Sequence, residues 1–321
     1  MKILKSLFFL ALGFALIYYA FKDQNLIELI QRLQNVEIKW VLLSMVFGAF
    51  AIISRGVRWT YMIRSLGYKS SIKNSISAVA IGYVSNIIVP RAGEITRCTT
   101  ITKIEKTPFN KLFGTIILER IIDLIILILL IGLTFIFQFS KISVFFKDVF
   151  TSGQSDNKNL IYIYIIIILI SLTLTTYFFR KKIKKLSIYL KIVNALDGLK
   201  KGLMSYKYIS NKKVFWLHTL CIWTMYIMMT YICFFSIEET KHLNIGDGFY
   251  MLVIGGLGMI VPTQGGIGSY HLAAKLGLVT LGIAAQPALL FAFTVHTAQT
   301  LMTICFGLFS FILILFQNKN E

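Results

Sequence analysis

The residues of this sequence that could do chemistry are charged side chains set among apolar ones. The stretch Val89-Pro90-Arg91-Ala92-Gly93-Glu94-Ile95-Thr96-Arg97 brings three charges within seven residues, directly after a small and apolar run from Ile76. Guanidinium groups grip phosphate through two parallel hydrogen bonds and stay charged at any depth in a membrane. A second stretch, Glu119-Arg120-Ile121-Ile122-Asp123, places two acids four residues apart, on one face of a helix. Such acids can balance Arg58, Arg91, Arg97 and Arg120 when no ligand is present, or bind an amine headgroup. Arg55, Arg58 or an arginine of the first stretch are natural partners for Asp123. The bland alternative is a salt-bridge cluster that only locks three helices. Snorkelling to lipid headgroups is a further alternative for Arg55 and Arg64, and a weaker one for Arg58.

A third stretch, Val261-Pro262-Thr263-Gln264-Gly265-Gly266-Ile267-Gly268, repeats the frame of the first with its charges replaced, and Ser269, Tyr270, His271 and Lys275 follow. A glycine-rich turn opening a helix points free N–H groups at an anion. Thr263, Gln264, Gly265, Gly266 and Ser269 are therefore candidate binding residues. Lys275, deep in an apolar arm, needs a partner or water. The competing reading of the glycines is close helix packing. His218 and His296, each alone on an apolar span, are expected to be hydrogen-bonded structural residues rather than proton relays.

These residues must be positioned by helices in a membrane. The 321 residues are 56% hydrophobic with mean hydropathy +0.73, more apolar surface than a soluble domain needs. The net charge of +19 does not imply nucleic acid, because the basic residues lie in a few segments between apolar runs rather than in a basic soluble domain. Cys98, Cys221, Cys233 and Cys305 show no CxxC or Cys/His spacing and read as buried small residues. The first run, Leu7 to Phe21, could be a signal peptide, but the bulky Tyr18-Tyr19 favours an uncleaved span.

Six runs approach the length of about 20 residues that a spanning helix needs: roughly 4–21, 40–63, 110–139, 160–179, 214–235 and 287–316. Two more, near 75–105 and 248–284, carry the Pro/Gly breaks. Segments 55–73, 97–111 and 180–213 are basic and are placed in the cytoplasm; 22–39 is balanced, and 140–159 and 236–247 fall outside. Both flanks of the first broken segment are thus cytoplasmic, which a hairpin that enters and returns satisfies. The expected fold is an all-α polytopic membrane protein. It has an inverted-topology repeat, with repeat 1 at about 4–139 and repeat 2 at about 160–316. Six full spans and two re-entrant helical hairpins make it up, with eight spans as the alternative. Asp123 then sits roughly 8 Å below the cytoplasmic boundary of a core about 30 Å thick. In 180–209, Ile183, Leu186, Leu190, Val193, Leu196, Leu199 and Leu203 recur at helical steps between lysines, an amphipathic helix on the inner leaflet that fixes topology or gathers lipid.

The blocks Arg55-Gly56-Val57-Arg58-Trp59, Pro90-x-x-Gly93-Glu94-x-x-Arg97, Glu119-Arg120-Ile121-Ile122-Asp123 and Pro262-x-x-Gly265-Gly266-Ile267-Gly268 resemble the signatures of the flippase-like family, the lysylphosphatidylglycerol synthase transmembrane region, over nearly the whole chain. The resemblance implies a multi-span protein of a bacterial cytoplasmic membrane; loop charge places both termini inside. Such a protein would move an anionic phospholipid or polyprenyl-phosphate between leaflets. Full-length synthases add a cytoplasmic aminoacyl-transfer domain; this sequence ends at Glu321, just after its last span, and tRNA-dependent lysyl transfer is not expected of it. No H-E-x-x-H, P-loop, G-x-S-x-G or Asp-rich metal motif is present, so no catalytic residue, metal or cofactor is expected. Other readings are a membrane enzyme acting on a lipid phosphate and a non-transporting accessory protein of lipid or glycan synthesis. Homo-oligomers or such a synthesis partner are compatible with the sequence.

Overall fold

The computed structural model describes residues 2–22, 24–137, 206–209 and 211–317. The expected loop 140–159, the span 160–179 and most of the basic segment 180–213 lie outside the described residues. Within them the chain is all helical: α1 (Lys2–Phe21), α2 (Leu26–Leu33), α3 (Ile38–Arg64), α4 (Ile72–Ile88), α5 (Gly93–Glu105), α6 (Phe109–Phe137), α7 (Lys212–Cys233), α8 (Ile245–Ile260), α9 (Ser269–Thr280) and α10 (Ala285–Gln317).

Among the described residues, three segments are long and apolar enough to cross a membrane: Ile38–Arg64, Lys212–Ser236 and Ala285–Gln317. They coincide with the runs 40–63, 214–235 and 287–316. Helix α6 has 29 residues, about 43 Å at a rise of about 1.5 Å per residue, but carries Glu119, Arg120 and Asp123. The element order α3-α4-α5-α6 recurs as α7-α8-α9-α10, at a nearly constant offset in sequence. Equivalent helices α3 and α7 pack side by side and antiparallel. Gly48 faces Met229, Ser54 bonds to His218, and Arg58 reaches Thr219. The two halves therefore run in opposite senses, as an inverted repeat requires.

Pro90 and Pro262 each end a helix, because proline lacks the N–H that the next turn would use. After Ile88 the chain is extended at Val89 and left-handed at Arg91, with φ 63°. Asn86 Oδ1 accepts the Gly93 N–H at 2.7 Å and starts the return. Gly82 and Gly93 pack backbone to backbone; a Cβ on Gly93 would strike the Gly82 carbonyl. At the far end Glu105 accepts from the Ser71 N–H at 2.8 Å and the Asn74 amide at 2.9 Å. Segment 72–105 is thus a closed helical hairpin, two packed helices joined at the Pro90 turn. Its helices have 17 and 13 residues, about 26 and 20 Å, short of a core of about 30 Å. The second hairpin closes the same way, with Gly255 against Tyr270, Gly258 against Ala273 and Gly277 against Ile254.

The hairpins are exchanged between halves. Helix α10 packs on α4 through Gly307 against Val84, and Gly256 of α8 meets Leu127 of α6. One apolar core joins α3 to α6 and the start of α7, around Trp59, Ile63, Ile101 and Phe215. The other joins α8, α9 and α10 to the ends of α1 and α7, around Phe234, Tyr250 and Phe291.

Segment 22–39, read only as a balanced loop, contains helix α2. Asn25 caps it by accepting from the N–H groups of Ile27 and Glu28. Arg32 bonds to Glu239 at 2.6 Å, Lys241 pairs with Glu37 at 2.7 Å, and the Glu37 N–H donates to Ser236 O. Segments 22–39 and 236–247 thus meet in space.

Candidate functional site

Helix α3 presents Arg55 and Arg58 at neighbouring steps of one face, and α6 presents Glu119 and Asp123 at i and i+4. Helix α5 contributes Arg97. All five are buried; Arg58 and Glu119 are 0% exposed. Arg97 grips Glu119 with both Nη groups, at 3.1 and 2.7 Å. Arg58 grips Asp123 likewise, at 3.0 and 3.2 Å, and its Nη1 also donates to Thr219 Oγ1 at 3.2 Å. Arg55 bridges the two acids, 2.7 Å from Glu119 and 3.0 Å from Asp123. Planar forks facing carboxylates form the strongest pairs available.

Aromatic rings hold the guanidiniums in place. Arg97 lies 3.9 Å above the Trp59 ring, whose Nε1 donates to Thr115, and Arg58 sits 5.7 Å from the Phe215 ring. Four helices, α3, α5, α6 and α7, thus meet at one polar knot. With every group ionised it holds three positive and two negative charges. The Nε atoms of Arg55, Arg58 and Arg97 have no protein partner. A buried donor without a partner is costly and marks a place where something else can bind.

Glu94 and Arg120 stand apart from the knot as their own pair, at 2.6 Å, on the more exposed side of α5 and α6. Arg91 projects at the hairpin tip and is exposed. Of the residues singled out in the sequence, Arg58, Arg97, Glu119 and Asp123 come together, Glu94 and Arg120 come together, and Arg91 neighbours the latter pair. Arg55 joins the knot, whereas Arg64 turns to the Ser70 carbonyl.

The second hairpin turn makes a separate site. Thr263 and Ser269 share a hydroxyl–hydroxyl bond at 2.8 Å, and Ser269 also donates to Gly266 O. Gly265, Gly266 and Gly268 all have positive φ, so only glycine holds this turn without strain. The Gly268 N–H donates to His271 Nδ1, and His296 bonds Gly265 O at 2.8 Å. His296 does not stand alone: its ring lies 4.6 Å from that of His271. Lys275 donates to the Ala20 carbonyl at the end of α1, where the helix dipole favours a cation. The hydroxyls and histidines of this turn bond within it and to α10, rather than to the arginines. The two tips meet through backbone, Gly265 against Ile87 one turn before Pro90. The half-buried Gln264 belongs to the same turn.

Sequence reasoning did not single out Trp59, Thr115, Phe215 or Thr219 as supports, nor the His271/His296 contact or the Tyr83–Tyr226 hydroxyl bond joining α4 to α7. Trp59 was within reach, one residue beyond Arg58. The others lie on helices far apart in sequence and carry no local signal.

Residues 4–307 match the lysylphosphatidylglycerol synthase TM region family, and the chain belongs to that family. Two curated relatives are UPF0104 membrane proteins of archaea. That of Methanocaldococcus jannaschii is 30% identical over 125 residues, 38% of this chain and 37% of the relative. That of Pyrococcus horikoshii is 26% identical over 112 residues, 34% of this chain and 33% of the relative. Each match thus spans only about a third of the relative's length. No solved structure matches the chain.

Proposed function

We propose that this member of the family moves a phosphate-bearing lipid, such as an anionic phospholipid or a polyprenyl-phosphate, between the leaflets of a cytoplasmic membrane. The carrying observation is the buried knot of Arg55, Arg58, Arg97, Glu119 and Asp123. Charges at membrane depth are costly and are kept where a path or site needs them. A knot with one guanidinium in excess and three unpartnered Nε donors suits an anion in transit better than a brace, which apolar residues would form at less cost.

Arg97 is the residue best placed to act. It sits on the short hairpin helix α5, and its other contacts lie on the longer helices α3 and α6. Loop charge puts the base of the first hairpin inside and that of the second outside, with both termini in the cytoplasm. Absence of known catalytic motifs supports a carrier over an enzyme, and a synthesis partner or second copy would supply or remove the lipid. The test is scrambling of a headgroup-labelled anionic lipid in liposomes. Arg97→Ala and Arg91→Ala should abolish movement. Undiminished movement in both variants, with each folded by thermal unfolding, would remove the arginines from the mechanism.

A further inference from the structure

We infer that the groove between α5 and α6 is the lateral entry site for an anionic phosphate headgroup, and that the Glu94–Arg120 ion pair is the partition this phosphate must exchange to reach the buried arginines. The inference rests on the lipid-moving reading, but makes its own claim about where the lipid first binds.

The groove holds about 430 Å³. Its apolar wall is Ile95 of α5 with Phe113, Ile117, Ile121 and Leu124 of α6. Ile95 and Leu124 are more than half exposed, so this wall opens sideways from the helices, where a membrane protein meets lipid chains. Its polar part is Arg91, Glu94 and Arg120. Arg91 has no ion pair or hydrogen bond among the described residues. The knot and the groove together hold five guanidiniums (Arg55, Arg58, Arg91, Arg97, Arg120) against three carboxylates (Glu94, Glu119, Asp123). That excess of two positive charges is more than the single negative charge of a lipid phosphodiester needs, so the site attracts an anionic headgroup. An apolar wall beside a cationic mouth fits a lipid phosphate with a chain alongside.

Behind the pair lies a polar cavity of about 20 Å³, lined by Arg55, Asn86 and Arg97 and walled on the groove side by the same Glu94 and Arg120. The pair therefore separates the open groove from the knot. Glu94 is bound to Arg120 through Oε1 alone; its Oε2 is buried and has no protein partner. Arg55 and Arg97 line this cavity, and their Nε donors are equally unpartnered. When phosphate takes Arg120 and Arg91, Glu94 can turn to those donors. The exchange leaves no charge bare in a low-dielectric site, which is what would otherwise forbid it. A phosphocholine headgroup is zwitterionic and brings no net charge, so a site with excess positive charge draws it less than an anionic headgroup.

The test places a reporter in the wall, Phe113→Trp, and measures quenching by lipids with brominated chains, corrected for the native tryptophans with the parent protein. Brominated phosphatidylglycerol should quench at a membrane fraction about tenfold lower than brominated phosphatidylcholine, the scale of one charge-assisted hydrogen bond. Arg120→Gln should remove most of that preference. So should Arg91→Asn, a residue that tolerates the left-handed tip. Glu94→Gln frees Arg120 and should raise the preference. Thermal unfolding of each variant establishes that it is folded. Equal quenching by both lipids overturns the inference. So does a Glu94→Gln variant that loses the preference as Arg120→Gln does, because the pair is then a fixed brace. Displacement of the lipid by inorganic phosphate would assign the site to the free anion instead. If the preference is absent while scrambling still depends on Arg97, the groove inference falls and the lipid-moving reading stands. If the preference is present while scrambling is indifferent to Arg97 and Arg91, the groove binds lipid and the lipid-moving reading falls.

Discussion

Replacing Glu119 by Gln isolates the electrostatics of the knot with little change of shape. Glu119 is fully buried and accepts from Arg97 twice and from Arg55 once. The substitution takes the knot from three positive and two negative charges to three and one. It also turns a donor, the new amide nitrogen, toward guanidinium donors. Breaking a buried pair by removing one partner costs about 3–5 kcal/mol, because the survivor is left charged and unpaired. For a chain of this size each kcal/mol lowers Tm by about 2 °C, so a fall of about 6–10 °C is expected. Thermal unfolding in a fixed detergent or nanodisc reads it. The double variant Glu119→Gln/Arg97→Gln removes one charge of each sign and restores the original excess of one. Its loss should be smaller than the sum of the single losses by about 1–3 kcal/mol. Additive losses, or a Glu119→Gln change within the roughly 0.5 kcal/mol of an ordinary surface substitution, would refute the claim that these residues act as one buried charge system.

Gly93→Leu should open or unfold the first hairpin, since even a Cβ there meets the Gly82 carbonyl and the Asn86 amide; a loss above about 2 kcal/mol on thermal unfolding is expected. Cysteines at the exposed positions Lys69 and Lys103 should react with an impermeant reagent from one side and a cysteine at Glu238 from the other, because the hairpin returns to the side it entered; reaction of Lys69→Cys and Lys103→Cys from opposite sides would break the inverted architecture. The loop contact also has a pH signature. The Lys241 and Lys39 ammonium groups beside Glu37 hold its carboxyl down at about 2, so its stabilising share is present above pH 4.5 and is lost as pH falls toward 2. Glu238 and Glu37 push Lys241 up to about 12, so its share is full below pH 10.5 and is lost as pH rises toward 12. Glu37→Gln should flatten the acid limb of a Tm-against-pH curve and Lys241→Met the alkaline limb, both modestly because these groups are partly exposed.

Much of the architecture was legible in the chain. Apolar run length gave the positions of α3, α7 and α10 to within a few residues, because a membrane core demands about 20 apolar residues whatever surrounds them. Pro90 and Pro262 gave the two helix breaks, since a missing N–H acts locally. Lysine and arginine counts grouped 55–73 with 97–111, and the bond from the Ser71 N–H to Glu105 brings the ends of those two segments together. Helix α2 was missed although its signal was present: Asn25 followed by Glu28 and apolar residues at helical steps is a start signature.

The site divides along the same line. Glu119 and Asp123 share a face because i and i+4 always do, and the sequence alone determined that. Which arginine each acid takes, and the separation of Glu94 with Arg120 from the knot, were decided only by the crossing of α3, α5 and α6. The same holds for the second turn, where the repeated Pro-x-x-Gly frame suggested a shared anion site, yet its hydroxyls and histidines bond among themselves and to α10. Local rules govern groups a few residues apart. Pairings between residues such as Arg55 and Glu119, 64 positions apart, depend on where whole helices pack, and packing is a property of all their side chains at once.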